Sequence, residues 1–142
     1  MGDELKYKHK VRGLKVYVDA NPKMVAYVVD GGPSSYRNLE AHVSSQQAEY
    51  IAVSFAISEI VEKYSEYKNK YVSDGRKGRE EIGAILVLSD NKTMVEQLNR
   101  NYHINSEKIR ELAQQVWGQV QHMDVKFEWV PREENLAGKM LK

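Results

Sequence analysis

Apolar and polar residues alternate along three runs in the first third of the chain, and this alternation predicts three β-strands. The apolar members are Leu14, Val16 and Val18, then a β-branched run over residues 24–29, then Leu39, Ala41 and Val43. A period of two is typical of a strand with one buried face. Turn-forming residues separate the runs, so we expect an antiparallel meander. In the first strand Asp19 is the last residue and lies on the face opposite the valines.

The pattern then changes to helical spacing. Residues 45–71 carry apolar side chains every three or four positions, which predicts a long amphipathic helix. A basic, glycine-containing loop over 73–79 precedes a continuous apolar run at 82–88, which is typical of a strand buried on both faces. Two further helices, the second over 109–120, and a fifth strand at 125–129 complete the chain.

The order of elements, βββαβααβ, predicts an α/β fold with a five-stranded mixed sheet. The first three strands are antiparallel, and the last two are parallel because helices connect them. Residues 1–13 are polar and lack apolar periodicity, so we expect a flexible arm. Residues 14–142 then form one domain.

Composition narrows the class of protein. The 142 residues contain 21 Lys plus Arg, 20 Asp plus Glu and no Cys. The absence of Cys excludes a disulfide scaffold and a zinc-thiolate finger. A formal net charge of +1 argues against a histone-like binder. No apolar run reaches the roughly 18 residues that a membrane span requires, so we expect a cytoplasmic protein without membrane contact.

Three acids follow or begin predicted elements in a way that could bring them together. Asp19 ends the first strand, Asp90 follows the fourth, and Glu49 lies in the first turns of the long helix among apolar neighbours. Three adjacent carboxylates repel one another unless a cation neutralises them, and hard oxygen ligands favour Mg²⁺ or Mn²⁺. The alternative is that these are solvated acids and that Asp90 caps the next helix.

Four stretches resemble the motifs of the type 1 ribonuclease H family. They are Tyr17-Val18-Asp19, Ser44-Ser45-Gln46-Gln47-Ala48-Glu49-Tyr50, Val87-Leu88-Ser89-Asp90-Asn91, and Trp129-Val130-Pro131-Arg132-Glu133-Glu134-Asn135. The similarity covers residues 14–142, and the predicted order of elements is that of the ribonuclease H fold. The resemblance implies an endonuclease that cuts the RNA strand of RNA/DNA hybrids with two divalent ions. We expect the protein to be a monomer.

The resemblance also assigns roles to individual residues. Asp19, Glu49 and Asp90 match the first three metal-binding acids of the family, and Asp19 would bridge the two ions. Ser45 and Gln46 match positions that face the minor groove of the hybrid, where a 2′-hydroxyl can be recognised. The alternative is a structural role, in which Ser44 or Ser45 caps the helix. Further expected contacts to nucleic acid are at Ala20, Asn21, Lys92 and Arg132.

The sequence departs from the family pattern at its last acid. The family has Asn-x-x-Ala-Asp-x-Leu, whereas this chain has Asn135-Leu136-Ala137-Gly138-Lys139-Met140-Leu141. Lys139 therefore replaces the fourth acid, and a protonated lysine cannot bind a metal ion. Either the Asn135 amide oxygen supplies the fourth ligand, or the Lys139 ammonium replaces one cation in catalysis, or the domain binds hybrids without cutting them. The family usually continues into a terminal helix, whereas this sequence ends at Lys142.

Overall fold

The computed structural model describes residues 13–72 and 83–141, with side chains of the first range described up to residue 63. The predicted arm up to residue 12, the basic loop at 73–79 and the first residue of the run at 82–88 lie outside the described residues. The assignment of residues 14–142 to one domain stays a prediction.

Five strands form one mixed sheet in the order β3-β2-β1-β4-β5. Their bounds are Leu14–Asn21 for β1, Met24–Val29 for β2, Ser34–Asn38 for β3, Ile85–Ser89 for β4 and Val125–Trp129 for β5. Strands β1, β2 and β3 pair antiparallel, while β4 runs parallel to both β1 and β5. The predicted α/β fold and mixed sheet are confirmed.

Three α-helices and two short 3₁₀ helices complete the described part of the chain. The α-helices are α1 at Ser45–Val72, α2 at Lys92–Leu98 and α3 at Glu107–Val120, and the 3₁₀ helices span Arg132–Glu134 and Leu136–Leu141. Helix α1 packs against α3 and against β1 and β2, and the second 3₁₀ helix also packs against β1 and β2. No helix of the described residues combines the length and the apolar character needed to cross a bilayer.

The hydrophobic core lies between the sheet and the helices. Val16 and Val18 of β1 are fully buried, as their alternation predicts, and they belong to one cluster with Tyr27 of β2 and Ile57 of α1. Because β1 is the central strand, this packing fixes the position of the chain at its carboxyl end.

Side chains cap both shorter α-helices. The Asn91 Oδ1 accepts a hydrogen bond from the Met94 amide at 3.0 Å, and the Ser106 Oγ accepts one from the Ile109 amide at 3.2 Å. Ser106 is therefore the N-cap of α3. Since Asn91 caps α2, Asp90 is not needed for this structural role.

The third strand differs from the prediction. The alternation of Leu39, Ala41 and Val43 predicted a strand there, but β3 occupies Ser34–Asn38 and residues 39–44 form no strand. A tight turn explains the difference, because the Val29 amide donates to the Pro33 carbonyl at 2.8 Å and chain reversal is complete by that point. The register of this hairpin then pairs residues 34–38 with β2. As an edge strand, β3 is held by backbone hydrogen bonds and needs no apolar face.

Candidate active site

Three carboxylates meet at one end of the sheet. Asp19 belongs to β1, which continues two residues further than predicted, Asp90 directly follows β4, and Glu49 lies in α1. Strands β1 and β4 are parallel neighbours, so their carboxyl ends lie side by side. One oxygen from each of the three acids lies within 4.8 Å of the others. The structure therefore brings together the three acids that the sequence analysis selected.

Asp19 is the most deeply buried of the three acids, with 2% of its surface exposed. The Ala20 amide donates a hydrogen bond to the Asp19 Oδ1 at 2.8 Å, which orients the carboxylate. Burial raises the pKa of Asp19, and the charge of Asp90 raises it further. The Ala20 hydrogen bond and the Arg132 guanidinium oppose these effects.

Glu49 carries a buried oxygen without a partner. The start of α1 is fixed by a capping box: the Ser44 Oγ accepts from the Gln47 amide at 3.0 Å, and the Ser44 amide donates to the Gln47 Oε1 at 3.1 Å. This places Glu49 in the second turn, facing the other acids. Its Oε1 is buried and accepts no hydrogen bond. Burial raises the pKa of Glu49 to about 8, with Asp19 and Asp90 adding to the rise.

These observations fit a bound divalent cation. A buried carboxylate oxygen without a hydrogen bond is costly unless a ligand completes its surroundings. The donor set consists of carboxylate oxygens, the hard ligands that Mg²⁺ and Mn²⁺ prefer. Asp19, Glu49 and Asp90 are the residues that could hold such an ion.

Asn135 is buried beside the acids and makes three hydrogen bonds. Its Nδ2 donates to the Val18 carbonyl at 2.8 Å and to the Asp90 Oδ2 at 3.0 Å, and its Oδ1 accepts from the Ala137 amide at 3.0 Å. The Val18 carbonyl can only accept and the Ala137 amide can only donate, so these partners determine the orientation of the side-chain amide. The oxygen predicted to bind an ion is thus engaged by the backbone, and the amide nitrogen faces Asp90. This geometry gives Asn135 the role of orienting Asp90.

Two cationic residues lie in the carboxyl-terminal segment. Arg132 is exposed, and its charge lowers the pKa of both Asp19 and Glu49. Lys139, which replaces the family acid, is exposed in the second 3₁₀ helix. Of these two cations, Arg132 is the one whose charge lowers the pKa values of the acids.

Two residues near the acids were missed by the sequence analysis. A Cβ atom on Gly138 would lie 3.2 Å from the Asp19 Oδ2, so glycine allows the 3₁₀ helix to approach this carboxylate closely. The sequence contained a sign of this contact, because the family pattern has Ala, another small residue, at the position of Gly138. The second residue is Trp129, whose Nε1 donates to the Asp90 carbonyl at 3.2 Å. Its alternation in β5 gave no indication of this contact.

The predicted nucleic-acid contacts surround the acids. Ser45 and Gln46 are exposed in the first turn of α1, and Lys92 is exposed at the start of α2. Ala20 and Asn21 lie at the end of β1, where the Asn21 Oδ1 accepts hydrogen bonds from the amides of residues 23 and 24 in the turn. Asn21 thus has a structural role in this hairpin. Contact of these five residues and of Arg132 with nucleic acid stays a prediction.

The comparisons with known proteins agree with the fold. Residues 79–141 match the model of a family described as reverse transcriptase-like. No curated protein matches the sequence.

Solved ribonuclease H structures resemble the chain at low sequence identity. The N-terminal ribonuclease H domain of a Mycobacterium tuberculosis protein, solved as a fusion with maltose-binding protein, superposes with a TM-score of 0.70 at 18% identity, covering 89% of this chain and 88% of that chain. Ribonuclease H1 from Halobacterium salinarum gives 0.68 at 18% identity, with 92% and 94% covered. The LC11 ribonuclease H1, isolated from compost by a metagenomic approach and solved with an RNA/DNA hybrid, gives 0.65 at 15% identity, with 89% and 91% covered.

These similarities define the class of the protein: it has the ribonuclease H-like fold.

Proposed function

We propose that this protein is a metal-dependent endonuclease that hydrolyses the RNA strand of RNA/DNA hybrids. The observation that carries this proposal is the meeting of Asp19, Glu49 and Asp90 within 4.8 Å, with the buried Glu49 Oε1 lacking a hydrogen-bond partner. A domain that only bound nucleic acid would gain nothing from three carboxylates beside the phosphates of its ligand, because the like charges repel.

The three carboxylates would hold a Mg²⁺ or Mn²⁺ ion. When bound, the ion supplies positive charge to the phosphate and lowers the pKa of the attacking water. The rest of the site keeps the carboxylates in place. The Ala20 amide orients Asp19, the Asn135 amide nitrogen orients Asp90, and the capped start of α1 presents Glu49.

The charges at the site match one ion. Three ionised carboxylates carry three negative charges, and one divalent ion with the Arg132 guanidinium supplies three positive charges. In a two-ion site the cations lie about 4 Å apart and need further anionic ligands to offset their repulsion. Lys139 adds a positive charge where the family has that ligand, and the Asn135 oxygen is engaged by Ala137. We therefore assign one resident ion to the free protein.

The choice of an RNA/DNA hybrid as substrate rests on two supports. One is the structural similarity to the LC11 ribonuclease H1, which was solved in complex with an RNA/DNA hybrid. The other is the exposure of Ser45 and Gln46 one turn before Glu49, where their side chains could donate to and accept from a 2′-hydroxyl. Recognition of the 2′-hydroxyl would restrict cutting to the RNA strand.

The test is cleavage of a hybrid whose RNA strand carries a 5′ label, with Mg²⁺, with Mn²⁺, or with EDTA. We expect cuts in the RNA with either ion and none with EDTA. Asp19→Asn, purified identically, controls for contaminating nucleases and should be inactive, and Glu62→Gln, an exposed acid of the same helix as Glu49, should keep full activity. Duplex DNA and single-stranded RNA of the same sequence test the substrate class.

The second candidate function is a hybrid-binding domain that does not cut. The observation in its favour is Lys139 in place of the fourth family acid. This function predicts hybrid binding without cleavage under either ion, and that result would overturn the proposed enzyme.

A further inference from the structure

A cavity of about 440 Å³ lies where α2 ends and α3 begins, away from the acid cluster. The side chains that line it include Arg100, Arg110 and His103, the aromatic rings of Tyr102 and Trp117, and the amide of Gln97. Among the described residues that line it there is no Asp or Glu. In a chain with nearly equal numbers of acids and bases, a cavity with two guanidinium groups and no acid favours an anion.

Arg100 occupies a backbone position that favours glycine. Its φ is 65°, the single left-handed value among the described residues other than glycine. The geometry is that of a Schellman motif closing α2: the Arg100 amide donates to the Gln97 carbonyl at 3.0 Å, and the Asn101 amide donates to the Glu96 carbonyl at 2.8 Å. An arginine at this position costs free energy that glycine would avoid. A role for the side chain would explain its presence.

Contacts fix both guanidinium groups at the cavity. The Arg100 guanidinium lies 3.8 Å from the centre of the Trp117 ring, and the Trp117 Nε1 donates to the Leu98 carbonyl at 3.0 Å. The Arg110 Nη2 donates to the Ile104 carbonyl at 2.9 Å. Neither guanidinium is limited to these contacts, because each has five N–H donors. The two groups are therefore held in place with donors left for a ligand.

We propose that this cavity binds a phosphate of the nucleic-acid strand, at a distance from the phosphate that is cut. The proposal rests on the proposed function, and the position of the cavity supports it. Helix α2 begins two residues after Asp90 and has seven residues, so it spans about 10 Å between the acids and the cavity. Phosphates of one strand advance by about 3.4 Å of helix axis per nucleotide, so a duplex placed at the acids presents other phosphates over this distance. The exposed Tyr102 ring offers an apolar contact to the adjoining sugar or base.

The test compares Arg100→Gly with the parent for binding of a hybrid. Glycine suits the left-handed backbone, so this variant should fold, and its unfolding temperature should change little because the relief of strain offsets the loss of the ring contact. Both proteins carry Asp90→Asn to prevent cleavage, and fluorescence anisotropy gives the affinity at several salt concentrations. We expect Arg100→Gly to weaken binding several-fold and to lower the slope of log K against log salt by about 1. Lys63→Gln, which removes an exposed charge from α1, should change neither value.

A second measurement identifies the ligand. The indole N–H of Trp117 gives its own signal in a ¹⁵N–¹H spectrum, and that signal should move when hybrid is added and remain in place in Arg100→Gly. Titrations with inorganic phosphate and with a mononucleotide show whether the cavity prefers a free anion to a phosphate of a nucleic-acid strand. Tighter binding of the mononucleotide than of the hybrid would overturn the assignment to a strand. Unchanged affinity and salt slope in Arg100→Gly would overturn the site itself. Cleavage by the parent is measured separately, so the proposed function can hold while this inference fails.

Discussion

Glu49 makes the stability of the metal-free protein depend on pH. Its pKa is about 8 in the folded protein and 4.5 as the ordinary value, so between these values the folded state holds a proton that the unfolded state has lost. Stability therefore falls as pH rises through this window. We expect a loss on the order of 3 kcal/mol between pH 5 and pH 8 in EDTA, measured by urea unfolding.

Glu49→Gln should remove most of this slope because the amide does not ionise. Glu62→Gln, an exposed position of α1, serves as the control and should leave the slope as in the parent. The pKa of Asp19 is also raised, by burial and by the charge of Asp90, so a small residual slope remains in this variant. A parent whose stability is flat from pH 5 to pH 8 would contradict the raised pKa.

Asn135 should be important for stability as well as for the position of Asp90. Asn135→Ala leaves the buried Val18 carbonyl and the Ala137 amide without their partner, and each such loss costs about 1–3 kcal/mol. Urea unfolding in EDTA measures this cost without any contribution from the ion. Asn101→Ala removes an exposed side-chain hydrogen bond to Glu96 and should cost under about 1 kcal/mol. An Asn135→Ala protein as stable as the parent would show that these buried hydrogen bonds contribute little.

Whether a residue of the site could be predicted from the sequence depends on how far along the chain its contacts lie. Asp19 lies near the end of β1, Asp90 follows β4, and Glu49 lies in the second turn of α1, so local patterns of the sequence were enough to place them. The role of Asn135 depends on Val18, which lies 117 residues earlier in the chain. No local pattern reports such a contact. Sequence spacing suggested a fourth metal ligand instead, because it shows which residues share a helix turn and not which groups their amides meet.

At the scale of elements, the start of α1 controls the approach of Glu49 to the other acids. The Ser44 hydroxyl and the Gln47 side chain each accept a hydrogen bond from a backbone amide at this end. Ser44→Ala should lower the free energy of unfolding by about 1 kcal/mol, measured by thermal or urea unfolding. Ser45→Ala, one residue further along, should change stability by only a few tenths of that amount. Equal effects at the two positions would contradict the assignment of Ser44 as the cap.

Elements whose apolar residues recur at regular spacing were predicted well. The strand held mainly by backbone hydrogen bonds, β3, was not. Helices α1 and α3 and strand β5 agree with their apolar spacing to within a few residues. Strand β3 was placed five residues too late, because its polar residues 34–38 pair with β2 through backbone groups that no side-chain pattern records. The apolar residues after it lie outside the sheet.

At the scale of the whole molecule, the order of elements was sufficient to predict the sheet. Antiparallel hairpins and helical crossovers leave few arrangements, and the observed order β3-β2-β1-β4-β5 places the first and fourth strands side by side. The meeting of Asp19 and Asp90 follows directly from that neighbourhood. The net charge of +1 did not indicate this cluster of acids, because it is a sum over the whole chain in which cations elsewhere offset them.

The distribution of charge between the site and the rest of the molecule leads to the last prediction. Lys139→Asp changes the charge of the residue after Gly138 by two units and adds a carboxylate where the family has one. We expect isothermal titration with Mn²⁺ to give one ion per parent chain and two per Lys139→Asp chain, with cleavage of the hybrid at least as fast. Lys63→Asp makes the same change of charge about 21 Å along α1 from Glu49, and it should still bind one ion. Two ions in the parent would show that the second site forms without the fourth acid, whereas one ion in Lys139→Asp would show that charge at this position does not limit binding.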